Sequence, residues 1–149
     1  WFTRDAMRTA ATWAGMVDAA AEAALDVLVD ARRGEDPLAQ LAAGRIEAAR
    51  GTVDAWLSRA ATVADAAIRP PAAPSAPAGD PRATGIAMRA EIDRAAKAIL
   101  ETAAAACGSH PFVTAGRLDR ARRDLETFLL QHRLEPLLTR LGGERLARR

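Results

Sequence analysis

The amino-acid sequence predicts an all-α fold, an antiparallel four-helix bundle in up-down-up-down order. Apolar residues recur at alternating intervals of three and four, the spacing that places them on one face of a helix. The sequence is 50% hydrophobic but only 4% aromatic, so alanine carries much of the apolar content. Because strands favour β-branched and aromatic residues, this composition favours packed helices, and 149 residues suit a single domain over residues 1–149.

The first predicted helix spans about residues 4–33 and ends before Gly34. A helix of that length is roughly 45 Å long, which is normal for a bundle. Gly34 is predicted to follow the last helical turn, where glycine adopts a left-handed backbone without strain. The positions of this helix that are predicted to face the core are Ala6, Ala10, Trp13, Val17, Ala20, Ala24 and Val27.

The second predicted helix begins at Asp36-Pro37 and reaches about Ile68. An aspartate side chain accepts hydrogen bonds from the free amides of a helix start, and proline is tolerated in the first position. Residues 69–82 hold five of the eight prolines, which predicts an extended connector between helices two and three. The core-facing positions of helix two are Ala42, Ile46, Ala49, Val53, Trp56, Ala60, Val63 and Ala67.

The third predicted helix begins at Asp80-Pro81 and ends near Cys107-Gly108. The fourth begins near Arg117; Pro136 is expected to kink or interrupt it, and Gly142-Gly143 to end it. The core-facing positions are Met88, Ile92, Ala95, Ile99 and Ala106 in helix three, and Leu118, Ala121, Leu125, Phe128 and His132 in helix four. A second apolar stripe in helix four consists of Leu130, Leu134, Leu137 and Leu141.

Charge and composition argue against several classes of protein. The formal net charge is +2, and arginines are interspersed with acidic residues, so no basic stripe predicts nucleic-acid binding. A single cysteine excludes an intrachain disulfide, and neither a signal peptide nor a membrane-length apolar run is visible. A cytoplasmic protein without membrane contact is therefore expected, and two separated histidines with one cysteine predict no metal site.

The chemically distinctive side chains concentrate in residues 107–133, which hold the only cysteine and both histidines. Cys107 ends an alanine-rich helix and is interpreted as a small packing residue rather than a nucleophile. His110 precedes Pro111, which predicts an extended backbone in the turn before helix four. His132 falls on the apolar face, where two interpretations stay open: a hydrogen-bonded core histidine or a side chain that faces a cavity.

The same segment resembles the last part of the acyl-CoA dehydrogenase superfamily. In that family a helix ends in a small-residue turn, an aromatic residue follows, and the next helix carries an Arg-Asp pair. The matching residues here are Gly108-Ser109, Phe112 and Arg123-Asp124. Nine positions after Arg123, where the medium-chain dehydrogenases have a catalytic glutamate, this chain has His132. The start of helix two is also similar to the family, in Asp36, Pro37, Leu38 and Gln40, so the resemblance covers essentially the whole chain.

The resemblance implies the C-terminal helical domain of a longer FAD-dependent oxidoreductase that acts on an acyl-CoA or another small organic molecule. Upstream domains would hold most of the FAD, while this domain would cover the flavin, form one wall of the substrate pocket and build a homodimer or homotetramer. The isolated domain is not expected to be active. The implied site residues are His132 in the catalytic position, with Arg123, Asp124, Ser109 and His110 near the FAD.

The histidine in place of the glutamate is the main departure from the dehydrogenases. Abstraction of an α-proton from an acyl thioester calls for a carboxylate base, whereas a neutral imidazole suits flavin-dependent oxygenation. The pattern is therefore also similar to the flavin monooxygenase-like branch of the superfamily. From the residues alone, surface ion pairs such as Arg120 with Asp124 are the favoured explanation of Arg123 and Asp124. A cofactor-free helical interaction module and a catalytically silent family member remain the alternative interpretations.

Overall fold

The structure, a computed structural model, describes residues 2–68, 79–131 and 133–149, with side chains from Met7 onward. These ranges contain helices and short connections but no strand, which confirms the predicted all-α class. The helices are α1 (Phe2–Asp30), α2 (Pro37–Ile68), α3 (Pro81–Cys107), α4 (His110–Val113), α5 (Arg117–Leu130) and α6 (Glu135–Leu146).

Aspartate caps start α2 and α3 as the sequence predicts. The Asp36 carboxylate accepts a hydrogen bond from the Leu38 amide at 2.9 Å. The Asp80 carboxylate accepts one from the Arg82 amide at the same distance. Most of the predicted proline-rich connector, residues 69–78, lies outside the described residues.

The end of α1 differs from the prediction, because the left-handed residue is Arg32 (φ 56°) and not Gly34. The Arg33 amide donates to the Leu28 carbonyl at 3.0 Å, and the Arg32 amide donates to the Val29 carbonyl at 2.8 Å. This pair of bonds is the Schellman arrangement, which satisfies carbonyls that the last helical turn leaves free. The helix therefore ends at Asp30, before the chain reaches its glycine.

The connection after α3 also corrects a prediction. His110 does not adopt an extended backbone but begins the short helix α4. Because His110 is the first residue of that helix, Pro111 occupies its first turn, where the missing amide donor costs no hydrogen bond.

The fourth predicted helix is divided into α5 and α6, with Pro136 in the first turn of α6. The predicted interruption is thus confirmed. The predicted stop at Gly142-Gly143 is wrong, because both glycines lie inside α6, which continues to Leu146. Glycine inside a helix costs only about 1 kcal/mol relative to alanine, which is too little to end a helix by itself.

The core lies among the three long helices, with α3 against both α2 and α1, and α5 against α1. The largest fully buried side chains are Trp13, Val17, Ile46, Val63, Met88, Ile92, Ile99 and Leu125, all at predicted core positions. Among the described core-facing positions, the prediction fails at Ala67, which is exposed, and at Phe128, which is 38% exposed. The side chains of Ala6 and His132 lie outside the described part. None of the described helices is both long and apolar enough to cross a membrane.

Candidate functional site

A groove of about 660 Å³ lies at the break between α5 and α6 and is closed on one side by α3. We call it the α3–α5–α6 groove. Its apolar lining consists of Leu100, Leu129, Leu130 and Leu134. Its polar lining consists of Asp93, Lys97, Glu101, Glu126, Arg133 and Glu135. The combination could hold an apolar ligand segment between leucine side chains, with charged groups around it.

Two of the charged side chains of the groove pair with each other. Lys97 Nζ donates to the Asp93 carboxylate at 2.7 Å. Glu126 is bound by Arg122, a neighbour on α5, at 3.2 Å. Most of the remaining charge on the groove is acidic, so the groove itself offers little attraction to a phosphate group.

The predicted pair Arg123 and Asp124 is exposed on α5 and does not line this groove. Among the described residues, the anticipated ion pair between Arg120 and Asp124 does not form. Instead, the buried carboxylate of Asp119 pairs with Arg123 at 2.9 Å and with Arg122 at 3.3 Å. Arg122 also lies over the ring of Phe112, 5.6 Å from its centroid, so this network joins α4 to α5.

Ser109 and His110 lie near the other end of α5. Both are exposed, and the Ser109 side chain makes no capping hydrogen bond to α4. His110 lines a second groove of about 390 Å³, together with Asp26 and Asp30 of α1 and Arg117 of α5. Along α5 the nearest lining residues of the two grooves are Leu118 and Glu126, which are eight residues or roughly 12 Å apart, and neither groove includes Arg123 or Asp124. The structure therefore does not bring the described members of the predicted site together.

His132 itself lies outside the described residues, but its neighbours in sequence do not. Leu130, Arg133 and Leu134 all line the α3–α5–α6 groove. In the sequence, the position with the predicted catalytic role therefore lies between residues that line this groove. No group of histidine, cysteine and carboxylate side chains in the described part of the chain is arranged to hold a metal ion.

Cys107 is half-buried at the end of α3, where its thiol contacts the Ala24 carbonyl at 3.6 Å. Burial raises the pKa of the thiol, although Arg33 partly opposes that shift. A raised pKa keeps the sulfur protonated and less nucleophilic at neutral pH, as the packing interpretation requires.

Arg33 links the turn after α1 to the end of α3. Its guanidinium donates to the Asp36 carboxylate through Nε at 2.9 Å and through Nη1 to the Ala106 carbonyl. A cation suits this place because the carbonyls at a helix C-terminus are partially negative. The same hydrogen bond from Arg33, with a second from the Leu38 amide, lowers the pKa of Asp36.

Arg50 joins α2 to α1 through ion pairs. It is only partly exposed and pairs with Asp18, with Glu22 at 2.7 Å and with Glu47 at 2.9 Å. Burial opposes the charge on its guanidinium, but the hydrogen bonds to Glu47 and Asp18 outweigh that cost and raise its pKa.

Arg89 of α3 is the residue that sequence reasoning missed most clearly. It is 6% exposed, and its guanidinium lies over the Trp13 ring of α1 at 5.2 Å from the centroid. A signal was present, since Arg89 lies three residues before the core residue Ile92 and therefore on nearly the same face of the helix.

Neither models of known protein families, nor curated proteins, nor solved structures give a match to this chain. The likeness to the acyl-CoA dehydrogenases therefore rests on the residues quoted above.

Proposed function

We propose that this chain is the helical C-terminal domain of an acyl-CoA dehydrogenase-like, FAD-dependent oxidoreductase, and that the α3–α5–α6 groove forms one wall of its substrate pocket. One observation carries the proposal. The sequence position that resembles the family's catalytic one falls between Leu130 and Glu135, the residues that bound the α5–α6 break, and both of these residues line the α3–α5–α6 groove.

We further propose that α1, α2, α3 and the α5–α6 pair form an antiparallel four-helix bundle. Contacts between the middle of α1 and the middle of α2, such as Asp18 with Arg50, suit two helices joined by a short turn. Trp13 meets Arg89, and Ala24 meets Cys107, which supports the same direction for α1 and α3. The ion pair of Asp26 with Arg117 connects the end of α1 to the start of α5, which supports opposite directions for these two helices.

In this proposal the leucines of the groove hold the apolar part of the substrate, and His132 supplies an imidazole that donates or accepts a proton beside it. Bound FAD would supply the redox chemistry, and upstream domains would hold most of it. The exposed residues Arg123, Asp124, Ser109 and His110 would be available to the cofactor or to another subunit of a homodimer or homotetramer.

The test is the full-length gene product, purified and measured for bound flavin by its visible absorbance and for turnover of acyl-CoA thioesters of different chain lengths. Leu130→Glu introduces a charge into the apolar part of the groove and is expected to lower kcat/KM by roughly tenfold or more. Leu146→Glu is the matched control: Leu146 is 74% exposed, against 83% for Leu130, but does not line the groove. His132→Ala in the same protein tests the catalytic role.

Absence of flavin from the full-length protein would contradict the proposal, and so would equal effects of Leu130→Glu and Leu146→Glu on turnover. Unchanged turnover in His132→Ala would remove His132 from the chemistry.

A cofactor-free interaction module is the second candidate, favoured by large apolar side chains that are exposed. They include Leu38, Leu41, Phe128, Leu130 and Leu138. Exposed apolar surface often marks a protein interface. A flavin-free gene product that loses binding to another protein chain in Leu130→Glu, but not in Leu146→Glu, would favour this function.

A further inference from the structure

Arg89 places a positive charge in the core of the molecule. The residue is 6% exposed and lies on α3 between the buried residues Met88 and Ile92. Its guanidinium stacks over Trp13, which is itself fully buried on α1. The described helices thus enclose this cation almost completely.

No acidic side chain in the described part of the chain forms an ion pair with Arg89, and its Nε atom has no hydrogen-bond acceptor there. Burial lowers the pKa of Arg89, and no opposing charge is among the causes. Arginine nevertheless keeps its proton in proteins, so the charge remains. Burial of an ion costs several kcal/mol, whereas a cation–π contact returns about 2 kcal/mol, so the ring of Trp13 offsets only part of the cost.

We propose that Arg89, stacked on Trp13, is a binding site for an oxyanion, namely a carboxylate or a phosphate group. Stacking covers one face of the guanidinium but leaves its N–H groups directed outward in the plane. The surrounding protein seals the Nε atom, so an anion reaches the guanidinium at its two Nη atoms, whose N–H groups form a fork that matches two oxygens of a carboxylate or phosphate. Because only 6% of the residue is exposed, the site suits a small anion or the terminal group of a larger ligand.

This inference is independent of the proposed flavoprotein function, because the Arg89 site and the α3–α5–α6 groove lie in different parts of the molecule. Arg89 does not line the α3–α5–α6 groove, whose charged residues are mostly acidic. The chain also supplies a comparison, because Arg59 lies over Trp56 at 5.8 Å but is exposed to water. Solvent can reach the guanidinium of Arg59, whereas the guanidinium of Arg89 is almost completely enclosed.

The experiment measures the Tm of the 149-residue chain in increasing inorganic phosphate, and separately in increasing acetate, against sodium chloride of equal ionic strength at constant pH. Above its Kd, a bound anion is expected to raise Tm by about 4 °C for each tenfold increase in concentration. Phosphate also stabilises proteins without binding, and this contribution remains in Arg89→Met. The part of the Tm increase that is due to binding is therefore the difference between the original chain and Arg89→Met. Arg59→Met is the control, and its Tm increase should match that of the original chain.

If Arg89 is required for the rise in Tm with phosphate but not with acetate, the site binds phosphate groups. If Arg89 is required for the rise in Tm with acetate only, the site binds carboxylates. Arg89→Lys keeps the charge but loses the fork, and it is expected to weaken anion binding by roughly tenfold. Equal increases in Tm in the original chain and in Arg89→Met overturn the proposal. The proposal is also overturned if neither phosphate nor acetate raises Tm more than sodium chloride does. If Arg89→Met does not fold, isothermal titration of the original chain with phosphate and with acetate decides, and no measurable heat of binding from either overturns the proposal.

Discussion

Four arginines of this chain perform four different tasks, although they are the same residue type on helices or at helix ends. Arg33 stabilises the end of α3, Arg50 connects α1 with α2, and Arg123 pairs with a buried aspartate on its own helix. Arg89 lies in the core against an aromatic ring. Helical spacing does not reveal these differences, because the task of each guanidinium depends on which neighbouring helix it meets.

The left-handed backbone of Arg32 leads to the first prediction. Arg32→Gly is expected to raise the free energy of unfolding by about 0.5–1 kcal/mol, because glycine removes the strain of a left-handed residue at some cost in unfolded-state entropy. Urea denaturation followed by circular dichroism measures the change.

The matched control for Arg32→Gly is Gly34→Ala, at the position that the sequence predicted as left-handed. Gly34 has no positive φ, and a Cβ atom there would meet nothing within 4 Å. Stability should change by less than about 0.5 kcal/mol. A loss of about 1 kcal/mol or more in Gly34→Ala, with no gain in Arg32→Gly, would show that the glycine is the left-handed residue after all.

The starts of the helices were more predictable than their ends. Asp36 and Asp80 cap α2 and α3 because a carboxylate bonds the amides of its own next residues, and a proline follows each aspartate. The sequence predicts that glycines end α1 and α6, but neither helix ends at its predicted glycine. A helix can pass through glycine at small cost or end before it, so the surrounding packing decides.

The second prediction concerns Gly142 and Gly143 inside α6. Each substitution, Gly142→Ala and Gly143→Ala, is expected to stabilise the protein by about 0.5–1 kcal/mol, because a Cβ atom at either site meets nothing within 4 Å. Thermal unfolding followed by circular dichroism measures the change in Tm.

Gly108→Ala provides the contrast, since Gly108 caps α3 with φ 72°. Alanine there should destabilise the protein by about 1 kcal/mol or more. Lower stability in both α6 variants would mean that the helix ends at these glycines.

On the scale of the whole molecule, α3 is the helix on which the others depend. It packs against α1 and α2 along its length, and it also contacts α4, α5 and α6. Its first half is buried on several sides, which explains why even Thr84 and Arg89 are buried. Alanine supplies much of the core, so the few large side chains carry a large share of the buried apolar area.

The third prediction follows from this dependence. Ile92 is fully buried at the centre of the core, and Ile92→Ala is expected to lower the free energy of unfolding by about 2–5 kcal/mol, because small neighbours cannot fill the cavity. Leu146→Ala removes a similar volume from an exposed site and should cost less than about 0.5 kcal/mol. Chemical denaturation of the two variants measures the difference, and a loss below 1 kcal/mol for Ile92→Ala would contradict the central place of α3.

The amino-acid sequence by itself determined the helical class, the caps at Asp36 and Asp80, and most core positions of α1, α2 and α3. These features depend on interactions within a few residues or on a simple repeat along one helix. The same reasoning predicted the interruption near Pro136, because proline acts on its own helix.

The tertiary structure alone decided the features that depend on contact between distant segments. It buried Arg89 against Trp13, joined Arg33 to the Ala106 carbonyl, and exposed Phe128. It also separated the groove beside His110 from the α3–α5–α6 groove. The periodicity of one helix shows which side is apolar, but only the arrangement of all helices determines what covers that side.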